Sequence, residues 1–297
     1  MSDDKNEEAV QTGQRPYPQE FPQEHVERPG FESELTPKPM FEAPAYLGSA
    51  KLEDKVAIIT GGDSGIGRAV AVLFAREGAD IVIAYLCEDS DAQETCRLVE
   101  AEGRRCCSLA GDVAEPEHCE KVVNTALEAF GHVDILVNNA AFQQHNASIE
   151  DIELAQFERT VKTNLFGYFN MVKAVLPHLP HGGSIIMTGS VTALDGSGQL
   201  IDYSITKGGI HTFTRSLSIQ LLPKGIRVNC VAPGPVWTPL NPADKDDEQI
   251  RTFGSDTPMK RAAQPEELAP AYVFLASECC SSYITGEILP VVGGYGH

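Results

Sequence analysis

The stretch TGGDSGIG, residues 60–67, places a cluster of glycines between a short β-branched segment and a longer amphipathic one. Glycine at 61 permits a tight turn, Gly65 lets a pyrophosphate approach the backbone, and Gly67 lets the following helix pack close to the strand. The free N–H groups at the start of that helix attract phosphates. The stretch therefore predicts a strand–turn–helix site for a nucleotide.

Two common phosphate-binding patterns do not fit this loop. Read from Gly62, the spacing is that of a P-loop, but Arg68-Ala69 follows where Lys and then Ser or Thr are required. Read from Gly61, the spacing is G-x-x-x-G-x-G and not G-x-G-x-x-G. Hydrolysis of a nucleoside triphosphate is therefore disfavoured, since the lysine and the magnesium-binding hydroxyl are both missing.

Short apolar segments alternate with longer amphipathic ones from Lys55 onward. Strands are predicted at 56–60, 81–85, 105–109, 135–138, 184–188, 227–231 and 287–291. Helices are predicted at 66–77, 92–102, 116–130, 153–176, 203–222 and 265–277. Continuous apolar strands, each followed by a helix, indicate a parallel sheet covered on both faces. We therefore predict one α/β domain over residues 51–297, a doubly wound Rossmann-type fold of about seven strands with helices on both faces.

Residues 1–50 have a different composition, rich in Gln, Glu and proline (positions 16, 18, 22, 29, 37, 39 and 44). Such a segment buries too little surface to offset its ordering entropy and is not expected to fold alone. Aromatic residues nevertheless recur in it, at Tyr17, Phe21, Phe31, Phe41 and Tyr46. We predict an extended arm that lies over the domain or over a neighbouring subunit; a disordered tail is the alternative.

The overall composition excludes several classes of protein. A formal net charge of −19 disfavours nucleic acid as a partner, because phosphate neutralisation needs Lys and Arg. No apolar run approaches the ~18 residues that span a bilayer, and the acidic N-terminus is unlike a secretory signal. These features predict a cytoplasmic protein with no membrane partner. The eight cysteines form no C-x-x-C, and no cluster with metal-ligand spacing occurs, which predicts reduced thiols and no metal.

The spacing T-G-x-x-x-G-I-G resembles that of the short-chain dehydrogenase/reductase family, and further motifs follow in the family's order over residues 52–297. Asp112 resembles the adenine-contacting Asp after the third strand, and Asn138-Asn139-Ala140 resembles an N-N-A-G turn in which Ala141 replaces the glycine. The motifs GGDSGIG, IDYSITKGGI, GIRVN and APGPVWTPL and the Pro-rich leader are most similar to the glucose/ribitol-dehydrogenase-like, general-stress-protein group.

This resemblance implies NAD or NADP as cofactor, a small-molecule substrate and a homotetramer. It implies cofactor contacts at Gly61, Asp63, Ser64, Gly65, Ile66, Gly67, Tyr85, Asp112, Val113, Asn139, Ala140, Tyr203, Lys207, Pro233, Gly234, Val236 and Thr238. Residues 237–261 resemble the family's substrate lid, with a plain surface insertion as the alternative. Histidines 145, 178, 181 and 211 show no partner pattern and are predicted to be surface or helix residues.

The candidate catalytic residues lie in the stretch 189–210 and one helix before it. Tyr203 and Lys207 are four residues apart in a predicted helix and share one face. A tyrosine hydroxyl has a pKa near ~10, and lowering it by ~3 units requires ~4 kcal/mol of preferential stabilisation, for which Lys207 and an oxidised nicotinamide are the expected sources. Ser190, at the end of a strand, is expected to hydrogen-bond the substrate oxygen. By resemblance, Asn164 completes the tetrad and anchors a water that relays protons to Lys207.

The choice between NAD and NADP is read near the end of the second strand. Tyr85 stands where the family's acid would select NAD, and Ser64 and Leu86 stand where NADP enzymes often carry a base. Asp63, Glu88 and the adjacent Asp89 would repel a 2′-phosphate, which favours NAD.

The predicted reaction is reversible hydride transfer between a nicotinamide and an alcohol, sugar or polyol, or the matching carbonyl. One alternative is a cofactor-binding sensor or scaffold without catalysis. Another is a reductase of carrier-bound 3-oxoacyl chains, which the acidic charge disfavours because it would repel an acidic carrier protein.

Overall fold

A computed structural model describes residues 9–22 and 25–295. Its centre is a seven-stranded sheet in which every neighbouring pair is parallel, in the order β3-β2-β1-β4-β5-β6-β7. The strands are β1 Val56–Thr60, β2 Asp80–Tyr85, β3 Cys106–Ala110, β4 Ile135–Asn138, β5 Ser184–Thr188, β6 Arg227–Pro233 and β7 Ile288–Val291. The predicted Rossmann-type sheet is confirmed, and its strand order reverses between β1 and β4, where such sheets bind ligands.

Helices cover both faces of this sheet. They are α1 Gly65–Arg76, α2 Asp89–Ala101, α3 Pro116–Phe130, α4 Leu154–Val161, α5 Gly167–Val175, α6 Thr192–Asp195, α7 Ile201–Leu221, α8 Asp247–Arg251, α9 Pro265–Ala276 and α10 Glu278–Ser281. Strand β1 is buried throughout, and its alternate side chains serve the two layers. Ala57 and Ile59 pack with α1 and α9, whereas Val56 and Ile58 pack with α3, α5 and α7. This two-sided burial explains why the strand reads as a continuous apolar run.

The long helix predicted at 153–176 is divided in the structure. Helices α4 and α5 are joined by a π-helical turn, Lys162–Phe166, that contains Asn164. Such turns commonly mark functional positions within helices. The apolar pattern continues through the turn, so periodicity alone did not reveal it. Helices α6, α8 and α10 were also missed, because segments of four or five residues are too short to show a period.

The described part of the N-terminal segment packs against the domain. Phe21 is buried and stacks on Trp237, with ring centroids 4.0 Å apart. The indole N–H of Trp237 donates a hydrogen bond of 2.7 Å to the Pro37 carbonyl oxygen. A separate apolar cluster forms here from Phe21, Val26, Leu35, Trp237, Ala243, Ile250 and Ala262. We call residues 9–50 the arm; residues 1–8 of the predicted segment lie outside the described residues.

None of the helices in the described ranges is long and apolar enough to cross a membrane.

Candidate active site

A cavity of about 840 Å³ lies beyond the carboxyl ends of the central strands. Its wall contains most of the residues that the sequence predicted as cofactor contacts: Gly61, Asp63, Ser64, Gly65, Ile66, Tyr85, Asp112, Val113, Asn139, Ala140, Tyr203, Lys207, Pro233, Gly234, Val236 and Thr238. Ser190 lies on the same wall. Gly67 and Asn164 are not part of it. The structure thus brings the glycine loop and three of the four predicted catalytic side chains around one space.

The glycine loop has a shape that larger residues would disrupt. Gly61 has a φ of +61°, in the left-handed region. A Cβ at Gly67 would lie 1.9 Å from the Gly61 carbonyl oxygen, so helix α1 approaches the strand more closely than any side chain allows. The Asn139 side-chain amide donates to the Thr60 and Gly61 carbonyl oxygens, both at 3.1 Å, and ties the loop to β4. These contacts form a backbone cradle that fits the phosphates of a dinucleotide.

Acidic groups surround the cavity near the end of β2. The Tyr85 hydroxyl donates to the Asp89 carboxylate at 2.7 Å. Asp63 and Glu88 are both buried and line the cavity. Burial, reinforced by Glu88, raises the pKa of Asp63 to about 7. A ligand that binds here therefore meets carboxyl groups close to β2.

Tyr203 and Lys207 lie on the same side of helix α7. The Lys207 Nζ is 5.3 Å from the centroid of the Tyr203 ring and donates to the Thr188 carbonyl oxygen at 2.8 Å. Both side chains are almost completely buried. The Ser190 hydroxyl accepts hydrogen bonds from Thr192 N at 3.1 Å and Thr192 Oγ1 at 3.0 Å, which fixes its position on the wall.

The pKa of Tyr203 differs from the sequence-based expectation. We expected Lys207 to help lower it; instead burial raises the pKa of Tyr203 to about 12, the Asp244 carboxylate adds to the increase, and the Ser190 hydroxyl acts in the opposite direction. Burial also lowers the pKa of Lys207 to about 7. The physical reason is that both groups leave water together, so the amine loses much of the charge with which it would acidify the phenol.

Asn164 lies behind the cavity wall and connects two of the elements that form it. Its side-chain Oδ1 accepts from Phe142 N at 2.8 Å, and its Nδ2 donates to Phe142 O at 2.8 Å and to Thr206 Oγ1 at 3.0 Å. The amide thus holds the loop after β4 against α7, the helix that carries Tyr203. The π-helical turn is the local change that places this side chain between them.

A second group of polar side chains, missed by the sequence analysis, lies at the opposite end of the cavity, where Arg28, His145 and Lys245 line the wall. The Asp244 carboxylate, on a side chain that is 1% exposed, accepts from Arg28 Nη2 at 2.6 Å, from His145 N at 2.8 Å and from His145 Nδ1. Lys245 Nζ lies 3.0 Å from His145 Nε2. The prediction that His145 is a surface or helix residue was wrong. No sequence pattern connects these residues, because Arg28 and Asp244 are 216 positions apart.

Part of the predicted lid lies over this end of the cavity. Lys245, Gln249 and Phe253 belong to the segment between β6 and α9 and line the space. Arg28, Pro29 and Gly30 of the arm line it as well. The arm and this segment are joined by the Arg28–Asp244 ion pair and by a hydrogen bond from Val26 N to Pro242 O at 3.4 Å.

Known proteins with similar sequences extend over nearly the whole chain. The family model described as enoyl-(acyl carrier protein) reductase matches residues 61–296. Glucose and ribitol dehydrogenase homolog 2 of Arabidopsis thaliana is 51% identical over 92% of this chain and 96% of its own. General stress protein 39 of Bacillus subtilis is 50% identical over 94% and 97%. NADPH-dependent aldehyde reductase 1, chloroplastic, of Arabidopsis thaliana is 48% identical over 90% and 95%.

Solved structures with similar folds agree with these relatives. A short-chain dehydrogenase from Burkholderia cenocepacia in complex with NADP superposes with a TM-score of 0.77 at 33% identity, over 82% of this chain and 98% of its own. The 3-ketoacyl-(acyl-carrier-protein) reductase from Brucella melitensis complexed with NADH gives 0.76 at 33% identity, over 83% and 100%. The fold, the family match and the identities support one conclusion: the chain belongs to the short-chain dehydrogenase/reductase family, oxidoreductases that act on CH–OH groups.

Proposed function

We propose that this chain transfers a hydride reversibly between a nicotinamide dinucleotide and the CH–OH group of a sugar, polyol or simple alcohol, or the matching carbonyl. The observation that carries the proposal is the single cavity that joins the glycine loop to Ser190, Tyr203 and Lys207. A dinucleotide held by the glycine loop at one end would extend toward these side chains at the other. Asp112, Asn139 and Thr238 are the further contacts that would hold it.

The bound cofactor would supply the hydride acceptor or donor, and the chain would control the proton. In this mechanism Tyr203 takes the proton of the substrate hydroxyl, or returns it to the carbonyl oxygen. Ser190 orients that oxygen with its own hydroxyl, which Thr192 holds in place. Since burial raises the pKa of Tyr203 to about 12, positive charge on Lys207 and on an oxidised ring must act together to make the phenol a base near neutral pH.

Asn164 supports this proton path by position. Its amide is used in three hydrogen bonds to Phe142 and Thr206. We propose that Asn164 fixes α7 against the loop that follows β4, so that a relay water bound at this turn would contact Lys207.

We propose that NAD is preferred to NADP. Asp63 and Glu88 line the cavity near the end of β2, and Asp89 accepts from Tyr85 beside them. A 2′-phosphate in this region would approach at least one carboxylate, whereas a 2′-hydroxyl would find hydrogen-bond acceptors. Two relatives carry NADP or NADPH in their names or titles, so the comparison of Michaelis constants for both cofactors is decisive.

The far end of the cavity supports a hydroxyl-rich substrate. Gln143, His145, Asn241 and Lys245 line it and offer donors and acceptors in several directions. A reductase of carrier-bound 3-oxoacyl chains is the second candidate, since one solved relative is a 3-ketoacyl-carrier reductase. An acyl chain would require a mainly apolar channel, and an acidic carrier would be repelled by a chain of net charge −19.

The test is a spectrophotometric screen of NAD⁺ and NADP⁺ reduction with sugars, polyols and secondary alcohols, and of the reverse reaction with a short 3-oxoacyl thioester. Tyr203→Phe should reduce turnover by about 10²- to 10⁴-fold without loss of cofactor binding. Tyr283→Phe, at a fully exposed tyrosine, is the matched control. Cofactor binding with no turnover on the whole panel would favour the silent sensor or scaffold instead.

We also propose a homotetramer in the cytoplasm. Phe166, at the end of the π-helical turn, Phe169, on α5, and Ile205, on α7, are large apolar side chains that are half exposed in the single chain. Apolar groups exposed on neighbouring elements are typical of surfaces that meet a second copy. Sedimentation equilibrium of the purified chain would measure the assembly, and a monomer at micromolar concentration would refute it.

A further inference from the structure

The arm reaches the glycine loop through one carboxylate. A 3₁₀ turn, Glu32–Glu34, places Glu32 against the domain with 2% of its surface exposed, whereas Ser33 and Glu34 of the same turn face solvent. The Glu32 Oε2 accepts a hydrogen bond of 2.5 Å from Gly65 N. Its Oε1 forms an ion pair with Arg68. The main-chain N–H of Glu32 donates to the Asp91 carboxylate at 2.7 Å.

Arg68 connects Glu32 to the glycine loop. Its guanidinium donates to the Asp63 carbonyl oxygen from Nε at 3.0 Å and from Nη2 at 2.7 Å. It also donates to Thr95 Oγ1 and to the Asp91 carbonyl oxygen, both at 3.0 Å and both on α2. Arg68 is 4% exposed, and a guanidinium buried to that extent needs a carboxylate partner. Asp91 approaches it only to 3.6 Å, so Glu32 provides the closer charge.

Helix α1 therefore has an N-terminal cap that comes from a distant part of the chain. The residue in the ordinary capping position, Ser64, makes no side-chain capping hydrogen bond. Glu32 binds the Gly65 N–H instead, which is consequently not free for a phosphate. Residues 63–66 line the cavity. Glu32 thus supports the loop from the side away from the ligand space.

We propose that Glu32 is a positioning residue for the dinucleotide site: it holds the glycine loop in its phosphate-binding shape through Gly65 N and Arg68. The inference rests on the proposed binding of a dinucleotide. It gives the arm a role in cofactor binding, in addition to its contacts with the lid segment. Without the Glu32 carboxylate, Gly65 N loses its hydrogen-bond acceptor, and Arg68, which holds the Asp63 carbonyl oxygen, loses its nearest charge.

The experiment compares Glu32→Ala and Glu32→Gln with Glu34→Ala in the full chain. Binding of NAD⁺, NADP⁺ and ADP is measured by calorimetry, because ADP tests the phosphate cradle without the nicotinamide. We expect Glu32→Ala to weaken binding at least about tenfold, the size expected for loss of a charge-assisted hydrogen bond. Glu32→Gln, which keeps an acceptor for Gly65 N but no charge for Arg68, should fall between it and the unaltered chain. Glu34→Ala should bind within about twofold of the unaltered chain.

A second readout separates positioning from general loss of structure. With a substrate found in the screen, Glu32→Gln should raise the KM for the dinucleotide while kcat at saturating dinucleotide stays within about twofold. Unchanged dinucleotide affinity in both Glu32 variants would overturn the inference, and so would an equal loss in Glu34→Ala or a fall in kcat that saturation does not restore. If the unaltered chain binds no dinucleotide or ADP, the proposed function itself has failed.

Discussion

At the scale of single residues, the most unusual feature is a lysine and a tyrosine buried side by side. Lys207 donates to the neutral Thr188 carbonyl oxygen at 2.8 Å and to the Tyr168 hydroxyl at 3.5 Å, and no carboxylate pairs with it in the described residues. Burial lowers the pKa of Lys207 to about 7 and raises the pKa of Tyr203 to about 12. Above pH 7 both side chains are therefore largely uncharged, and the site gains charge when a proton or a cationic ligand binds.

The buried amine predicts a dependence of stability on pH. Between about pH 7 and the ordinary lysine pKa of 10.5, the unfolded chain holds a proton on Lys207 that the folded chain does not hold. The free energy of unfolding should therefore rise with pH in this window, by up to about 1.4 kcal/mol per pH unit from this residue. Tyr203, whose pKa is raised, lowers stability only above pH 10.

Urea unfolding of the unaltered chain and of Lys207→Met, at intervals from pH 7.5 to 9.5, isolates this contribution as the difference between the two curves. Lys224→Met, at an exposed lysine, is the control: the difference in unfolding free energy between it and the unaltered chain should not change with pH. A flat difference for Lys207→Met as well would show that the ammonium remains charged inside the protein.

Glu88 offers a test of cofactor choice. Its carboxylate is buried, lines the cavity near β2 and accepts from Cys87 N at 2.8 Å. Glu88→Gln keeps an acceptor for that N–H and removes one negative charge. We expect the KM for NADP to fall by about tenfold relative to that for NAD, since removal of one nearby like charge is worth about 1 to 2 kcal/mol to a phosphate in a partly buried site. Glu100→Gln, on the exposed side of α2, should leave the ratio unchanged.

At the scale of elements, the segment between β6 and α9 is fastened to the rest of the molecule at Asp244. This carboxylate is almost fully buried and joins Arg28 of the arm to His145 of the loop after β4. Three separate parts of the chain thus meet at the end of the cavity lined by Arg28, His145 and Lys245. We infer that opening of the lid segment requires this junction to break.

The two sides of the Arg28–Asp244 pair should differ in their contribution to stability. Asp244→Ala leaves Arg28 and the His145 N–H without their acceptor and should lower the free energy of unfolding by about 3 kcal/mol. Arg28→Ala should cost up to about 1 kcal/mol, because the Arg28 side chain is 35% exposed and water replaces it. Urea unfolding of both variants measures this. Equal costs would mean that the pair, and not the buried carboxylate, sets the strength of the junction.

The success of sequence-based prediction differed among the elements for a physical reason. Strand β1, the glycine loop and α1 were predicted almost to the residue, because local spacing and burial on both faces determine them. The π-helical turn at Asn164 was not, since it depends on the hydrogen bonds that Asn164 makes to Phe142, 22 residues earlier. The Arg28–Asp244–His145 group was missed for the same reason. Interactions between segments distant in the chain leave no period or motif in a single sequence.

At the scale of the whole molecule, the arm is a structural component of the site. Phe21 of the arm stacks on Trp237, Glu32 contacts the glycine loop, and Arg28 contacts the lid segment. The aromatic residues that recur in this Pro-rich stretch suggested that it lies on a surface. Which surface it covers depends on the lid and on α1, and could not be read from the arm's own composition.

The docking of the arm can be followed by fluorescence, because Trp237 is the only tryptophan in the sequence. Phe21→Ala should shift the Trp237 emission to longer wavelength, since it removes the ring that shields the indole from water. It should also speed cleavage of the arm by a glutamyl endopeptidase at Glu27 or Glu34, whereas trypsin does not cut here because Arg15 and Arg28 each precede a proline. Phe130→Ala, at a half-buried phenylalanine on the opposite side of the sheet, should leave the emission maximum in place. An unchanged spectrum for Phe21→Ala would show that the arm is not what covers Trp237 in solution.

The stacking of Phe21 on Trp237 has a consequence for biosynthesis. Phe21 leaves the ribosome 216 residues before its partner, a delay of roughly 10 to 40 s at ordinary translation rates. Throughout that interval Phe21 has no indole on which to stack, and its ring is open to chaperones and proteases. Docking of the arm at Trp237 is therefore a late step of maturation, and a bulky fusion joined to the arm would burden that step.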